Sequence, residues 1–473
     1  MNINDKNQSN KGGKVLASGG FGCVFSPALK CEGETKRHAG QISKLMSEKH
    51  ATEEYEEIVR LKEKLDKIRN YEDYFLLYDA TLCRPAKLTT TDLTEFASKC
   101  SALPKDNITR SNINQKLDKL MSLNLPNGGE PVDDYIVSSG SFEKLHKVHM
   151  ALVKLLKKGI IPMNKEFMYH CDIKDSNVLI DDSGHELKAR LIDWGLSTEY
   201  TPFQDAPFPR SWRNRPFQYN VPFSVIIFSD AFVEKYTKFI KDGGKVEEIE
   251  LKPFVIDFIT FWMKERGAGH YRFINDIIFT LFSNDLTSVD DADKPKVIET
   301  QYTMDYLVNY IVDVLLHFTK FRADGTLNLR DYLDTVFIQI VDIWGFISTY
   351  YPFIELLANS YKTLTKGEMK IFNQLRFIFI EYLYNPRHEL INMNMLYSDL
   401  KDLGNLIHIK ITGKKKTSTP TSSSKSSSRG RSGRASGLRK TRKNLGNERR
   451  SAVKFVKKPN QKKFKNPIFL SLK

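Results

Sequence analysis

Apolar and polar positions alternate along the chain with two different periods. Residues 15–25, Val-Leu-Ala-Ser-Gly-Gly-Phe-Gly-Cys-Val-Phe, read as strand, glycine turn and strand. Around Lys44, in Gln-Ile-Ser-Lys-Leu-Met, apolar residues alternate again, which predicts a further strand. Residues 50–68 change to the helical period, with Ile58, Leu61, Leu65 and Ile68 on one face. Residues 74–83 read as a strand, and 86–115 form a polar stretch with no assignable period. A helix over 142–158 is predicted further on, carrying Leu145, Val148, Leu152 and Leu155 on one face. Two short apolar runs, residues 178–180 and 191–192, flank the polar turn 181–184 and predict a β-hairpin. Aromatic-rich helical patterns occupy 254–263 and 302–321, and further helices are expected over 337–358, 367–384 and 393–406. Strands near the start and helices after them predict an α+β fold.

The predicted hairpin concentrates chemistry. His170, Asp172, Lys174 and Asn177 stand just before its first strand, and Asp193 just after its second. Closing the hairpin gathers two carboxylates, an amide and an ammonium, a set suited to holding Mg2+ and phosphate oxygens. Taken singly, an Asp or Asn beside a turn is more often a cap or turn former. The glycines of 15–25 let backbone amides approach phosphates, although many ordinary hairpins carry glycines too. Lys44 reads either as a ligand-facing lysine or as a solvated edge-strand residue.

Together, these segments resemble the protein-kinase superfamily. Residues 170–177, His-Cys-Asp-Ile-Lys-Asp-Ser-Asn, resemble the catalytic loop His-Arg-Asp-x-Lys-x-x-Asn, and Asp193-Trp-Gly resembles the Asp-Phe-Gly metal motif. The resemblance implies that Asp172 accepts the substrate hydroxyl proton, that Lys174 steadies the transferring phosphoryl, and that His170 supports the loop. It implies that Asn177 and Asp193 hold Mg2+. The glycine stretch resembles Leu-Gly-x-Gly-x-Phe-Gly-x-Val, with Ala17 at the first glycine, so Leu16, Gly19, Gly20, Gly22 and Val24 would cover ATP. Lys44 would reach its phosphates and pair with a glutamate of the next helix; Glu54 fits best, with Glu53 and Glu57 as alternatives. Gly128 and Gly129 would link two lobes, with adenine bonded to backbone around 124–126.

The implied architecture is bilobal: a flexible start over 1–13, a small β-rich lobe over 14–127, and a large helical lobe over 128–410. A disordered basic tail over 411–473 would follow. Val341-Asp-Ile-Trp-Gly resembles the helix whose Asp anchors the catalytic loop, which would make about 100 residues after Pro222 an insertion; an ordinary capping role for Asp342 is the alternative. Cys171 replaces the motif's Arg, so phosphorylation of the following loop is not the expected switch. That loop, 197–222, carries Ser197, Thr198, Tyr200, Thr201 and Ser211, and Asn220-Val-Pro222 stands where Ala-Pro-Glu is usual.

Lys174 favours a Ser/Thr protein kinase, because tyrosine kinases usually lack it. A small-molecule phosphotransferase of the aminoglycoside- or choline-kinase type is the alternative enzyme, and a pseudokinase scaffold the non-enzymatic one. The insertions and the Lys/Asn/Ile-rich composition also resemble protein kinases of large cytoplasmic DNA viruses, which implies action in host cytoplasm or packaging in the particle.

Charge changes this picture only at one end. Of 72 Lys/Arg and 57 Asp/Glu, residues 414–473 hold 20 basic groups and one acid, leaving 52 basic and 56 acidic groups before them. The tail is therefore the whole source of the +15 net charge, and it reads as an arm for nucleic acid or acidic proteins, or as a solubilising segment. Protein substrates would be the other partners. Five scattered cysteines with no Cys-x-x-Cys pair lead to an expectation of reduced thiols, with neither a zinc site nor a disulfide framework. The polar N-terminus lacks a signal-peptide core, and residues 337–358 contain Asp342 and Glu355, so a soluble intracellular protein without a membrane span is expected.

Overall fold

The computed structural model describes residues 13–413 apart from 205–207, 210–211 and 386–387. The expectations for 1–12, for Ser211 and for the basic tail 414–473 lie outside the described residues. Within them the chain is α+β. Five antiparallel strands form the first sheet: β1 (Lys14–Ser18), β2 (Gly22–Ser26), β3 (Gln41–Ser47), β4 (Thr81–Cys83) and β5 (Leu120–Pro126), in the order β1-β2-β3-β5-β4. Short strands follow as β6 (Glu130–Pro131), β7 (Met168–Tyr169), β8 (Val178–Asp181), β9 (Lys188–Leu191) and β10 (Thr198–Glu199). β8 and β9 form the predicted hairpin, with Val178 opposite Leu191 and Asp181 opposite Lys188. β6 extends it, and β7 pairs with β10.

The period-2 pattern decides which way the first sheet faces. Val15, Cys23, Phe25 and Leu45 turn to one side and are buried. Leu88, Leu93, Phe96, Leu103, Ile108 and Ile113 cover them. These come from the stretch 86–115, which sequence pattern left unassigned: it folds as short helical turns, too brief to show a period. The opposite side carries Val24 and Lys44, paired across β2 and β3. A buried ion pair locks the cover down. Arg37 donates to both oxygens of Asp92, at 2.7 and 3.0 Å, and to the Ala28 carbonyl at 2.8 Å. Asp92 also accepts the Gly13 and Thr89 amides, each at 2.8 Å. Asp92→Ala would strand a buried guanidinium and two amides, and is expected to cost about 3–5 kcal/mol, read as a fall in urea midpoint.

The cysteine expectation is corrected. Cys23 and Cys100 form one disulfide and Cys31 and Cys83 another, across 77 and 52 residues, while Cys171 is free and buried. Linear spacing carries no record of which strand and cover positions become neighbours, so the pairing was invisible before folding. Without reductant, a thiol reagent should modify no cysteine in the native chain and one after denaturation, counted by intact mass. Three or more modified thiols would contradict the pairing.

The helix Glu48–Leu65 packs Ala51, Ile58, Leu61 and Leu65 against the main core. The predicted helix over 142–158 runs as Phe142–Leu155 and then loosens into a π-turn, Leu156–Ile160. The apolar run 337–358 is two helices, Ile338–Ser348 and Tyr351–Ala358. Residues 223–335 fold into helices including Asp230–Lys241, Glu248–Arg266, Gly269–Phe282 and Met304–Phe318. Their buried faces join the same core as the hairpin. No helix among the described residues is long and apolar enough to cross a membrane.

Candidate active site

The hairpin's tight register fixes the site. The Ile192 amide donates to the Asn177 carbonyl at 3.0 Å, so the residues leading into β8 and those leaving β9 are held side by side. His170 Nε2 donates to the Ile192 carbonyl at 3.0 Å and stacks obliquely on Trp194, with centroids 4.7 Å apart. Trp194 is buried and meets Phe75 edge-on. Its ring thus anchors the turn, while its neighbour Asp193 is exposed with φ at 62°.

Asp172 is buried among donors. Its Oδ2 accepts Lys174 Nζ and Asn177 Nδ2, both at 2.9 Å, and its Oδ1 accepts Asn220 Nδ2 at 2.9 Å. Burial pushes this carboxyl up, but the Lys174 ammonium and the Asn220 amide outweigh it, and the group ends below the usual aspartate value. Asn177 Nδ2 also donates to the Asp172 carbonyl at 2.9 Å, which leaves the amide oxygen as the acceptor end.

Asn220 is the participant that sequence reading understated. It sits fully buried in an irregular strap, and its amide also donates to the Ile173 carbonyl at 3.2 Å. Around it, Tyr219 donates to Asp175 at 3.0 Å, and Trp344 Nε1 donates to the Tyr219 carbonyl at 3.0 Å. Arg215 donates to the Cys171 carbonyl at 3.1 Å while Trp262 Nε1 holds the Arg215 carbonyl at 3.0 Å. Trp262 belongs to the helix Glu248–Arg266, so that helix props the strap that delivers Asn220. Burial and the nearby Asp133 carboxylate raise Asp175 to about 6.

Asp342, left open by sequence between anchor and cap, lies directly beneath the loop. Fully buried, it accepts the His170 amide at 2.9 Å, the Cys171 amide at 2.8 Å and Asn164 Nδ2 at 2.7 Å. Gly345, one turn further on, allows the approach: a Cβ there would lie 2.6 Å from the Ile173 carbonyl oxygen.

On the first sheet, Lys44 Nζ contacts Glu54 at 2.5 and 2.8 Å, which selects Glu54 over Glu53 and Glu57 as its partner. Glu57 instead approaches Ser197 Oγ at 3.4 Å, and burial raises its pKa. Gly19 and Gly20 form the turn between β1 and β2, and a Cβ at Gly19 would sit 3.8 Å from Lys44 Cε. Gly22 is required sterically, since a Cβ would fall 2.6 Å from the Leu45 carbonyl oxygen. Leu16 is exposed at a bulge in β1, and Val24 is half-buried opposite Lys44. Ser18 Oγ accepts the amides of Ser101 and Ala102, at 3.1 and 3.0 Å, so the cover 86–115 also braces the glycine turn.

The structure therefore gathers His170, Asp172, Lys174, Asn177 and Asp193 at one hairpin mouth, and Leu16, Gly19, Gly20, Gly22, Val24, Lys44 and Glu54 on and beside the face of the first sheet opposite its cover. No model of a known protein family matches the chain, and no curated protein sequence matches it.

Proposed function

We propose that the chain is an ATP- and Mg2+-dependent protein kinase of bilobal architecture that phosphorylates Ser or Thr hydroxyls. The observation that carries this reading is the environment of Asp172: a buried carboxylate, kept ionised by Lys174 and Asn220, beside an oriented amide and an exposed carboxylate. A general base needs that ionised form at neutral pH. Asn177 and Asp193 present hard oxygen donors, which suit Mg2+, and Asn177 has its nitrogen already engaged. ATP would supply the phosphoryl group. Lys44, oriented by Glu54, would neutralise phosphate charge, with the glycine turn above it and backbone around 124–126 beside the base. Asp172 would take the hydroxyl proton and Lys174 would offset charge on the transferred group, so the protein's work is positioning and electrostatics.

The basic segment 414–473 would recruit acidic proteins or nucleic acid by charge. The test is transfer from γ-labelled ATP with Mg2+ to casein-like and basic proteins, with the full chain and with residues 414–473 removed. Incorporation into protein hydroxyls supports the reading. Transfer only to small alcohols would make it a small-molecule phosphotransferase, and nucleotide binding without transfer would make it a scaffold.

A further inference from the structure

Away from the hairpin, the helix Met304–Phe318 carries Asp313 and His317 one turn apart, and His388 arrives beside them from 75 residues beyond Asp313. One ligand atom from each of the three lies within 4.8 Å of the others. His388 Nδ1 stands 3.2 and 3.0 Å from the two Asp313 carboxylate oxygens, and His317 Nδ1 stands 3.6 Å from Oδ1. The two imidazoles stack with centroids 3.5 Å apart and planes within 5°.

We propose that Asp313, His317 and His388 form a binding site for a borderline divalent cation of the Zn2+ class. Four-coordinate zinc with bonds of about 2.0–2.1 Å has ligand-to-ligand edges of about 3.3 Å. The separations of 3.2 and 3.6 Å from Asp313 Oδ1 to the two imidazole nitrogens bracket that edge. Two imidazoles and one carboxylate select zinc-like ions over Mg2+ or Ca2+, which prefer oxygen throughout. Parallel rings cannot both point an in-plane nitrogen at one ion, so binding requires the stack to open by rotation of His317. His317 Nδ1 now lies 2.8 Å from the Asp313 carbonyl oxygen and would exchange that hydrogen bond for the ion. Both rings and the carboxylate keep some solvent exposure, which gives the ion an entry path and leaves a position for water. Glu389, 3.7 Å from His388 Nε2, adds negative charge at the rim. The ion would staple an insertion helix to the segment preceding the last described helix, Met393–Thr412.

The competing cluster is Cys31, Glu34 and His38, where Cys31 is engaged in a disulfide. The segment 414–473 contains neither His nor Cys and offers no rival imidazole or thiolate. The experiment titrates Co2+ into the full, unreduced chain without nucleotide or Mg2+, following the intense visible absorption of tetrahedral Co2+. Binding of one Co2+ per chain, displaced by Zn2+, is expected. The signal should be lost in both His317→Ala and His388→Ala, with unchanged circular dichroism, and kept in His38→Ala. No absorption in the wild type, or wild-type absorption retained in either histidine variant, would overturn the proposal. Loss of the signal in His38→Ala instead would place the ion at the Cys31 cluster and overturn it equally.

Discussion

Asp172→Asn is expected to lower the rate of phosphoryl transfer by about 10²–10⁴-fold, the range a general base contributes, while leaving the fold in place. The substitution removes the charge and keeps the shape, with one hydrogen bond to rearrange. Asp172 now accepts Lys174 and Asn177 on one oxygen and Asn220 on the other. An amide at 172 presents one oxygen and one NH2 group, so one of those donors loses its acceptor. Asn220 can absorb the mismatch, because its own Oδ1 is buried with no hydrogen-bond partner, and once turned it would accept from the NH2 group introduced at 172. Thermal unfolding within a few degrees of wild type, together with a collapsed transfer rate, is the expected pair of results. A variant that transfers at the wild-type rate would remove Asp172 from the chemistry and the kinase reading with it. The depressed pKa adds a sign. Asp172 stays ionised as pH falls from 8 to 5, so its protonation should not produce an acid limb in the wild-type rate over that range.

What could be read from sequence was whatever short-range pattern encodes. The hairpin was legible because two apolar runs bound a polar turn, and its register then fixed Asn177 and Asp193 as neighbours. Lys44 was legible from alternation and Glu54 from its place on the next helix; the ion pair at 2.5 Å joins them. The cover 86–115 was not legible, because Leu93, Phe96 and Leu103 sit in turns too short to show a period. The disulfides were not, because a strand position and a cover position meet only after both have folded. Asn220 was visible only as an odd motif ending; its role depends on Trp344 and Trp262, which hold the strap from two separate helices, and on Arg215 within the strap, which ties it to the Cys171 carbonyl.

Asp342 is the clearest case of a residue whose weight only three-dimensional structure reveals, and Asp342→Ala has the second large expected effect. The alanine variant leaves the His170 amide, the Cys171 amide and Asn164 Nδ2 without their acceptor in a fully buried place. Unsatisfied buried donors cost about 1–3 kcal/mol each, and a lost buried charge with its partners about 3–5 kcal/mol, so a penalty on the order of 3–5 kcal/mol is expected. Burial pushes the Asp342 carboxyl up, while His170 and the loop amides pull it down. Burial wins, leaving the group above the usual aspartate value. The loss should be local before it is global. Amide exchange at His170 and Cys171 should accelerate more than at the Val178–Asp181 strand, whose ladder does not involve Asp342. Transfer should fall with loop order, whereas nucleotide affinity, which would rest on Lys44 and the glycine turn, should stay within a few-fold of wild type. Asp342→Ala with wild-type exchange at those two amides would return Asp342 to the status of an ordinary buried acid. Equal losses of nucleotide affinity and transfer would instead mean that the loop and the first sheet fold as one unit, and that Asp342 supports both.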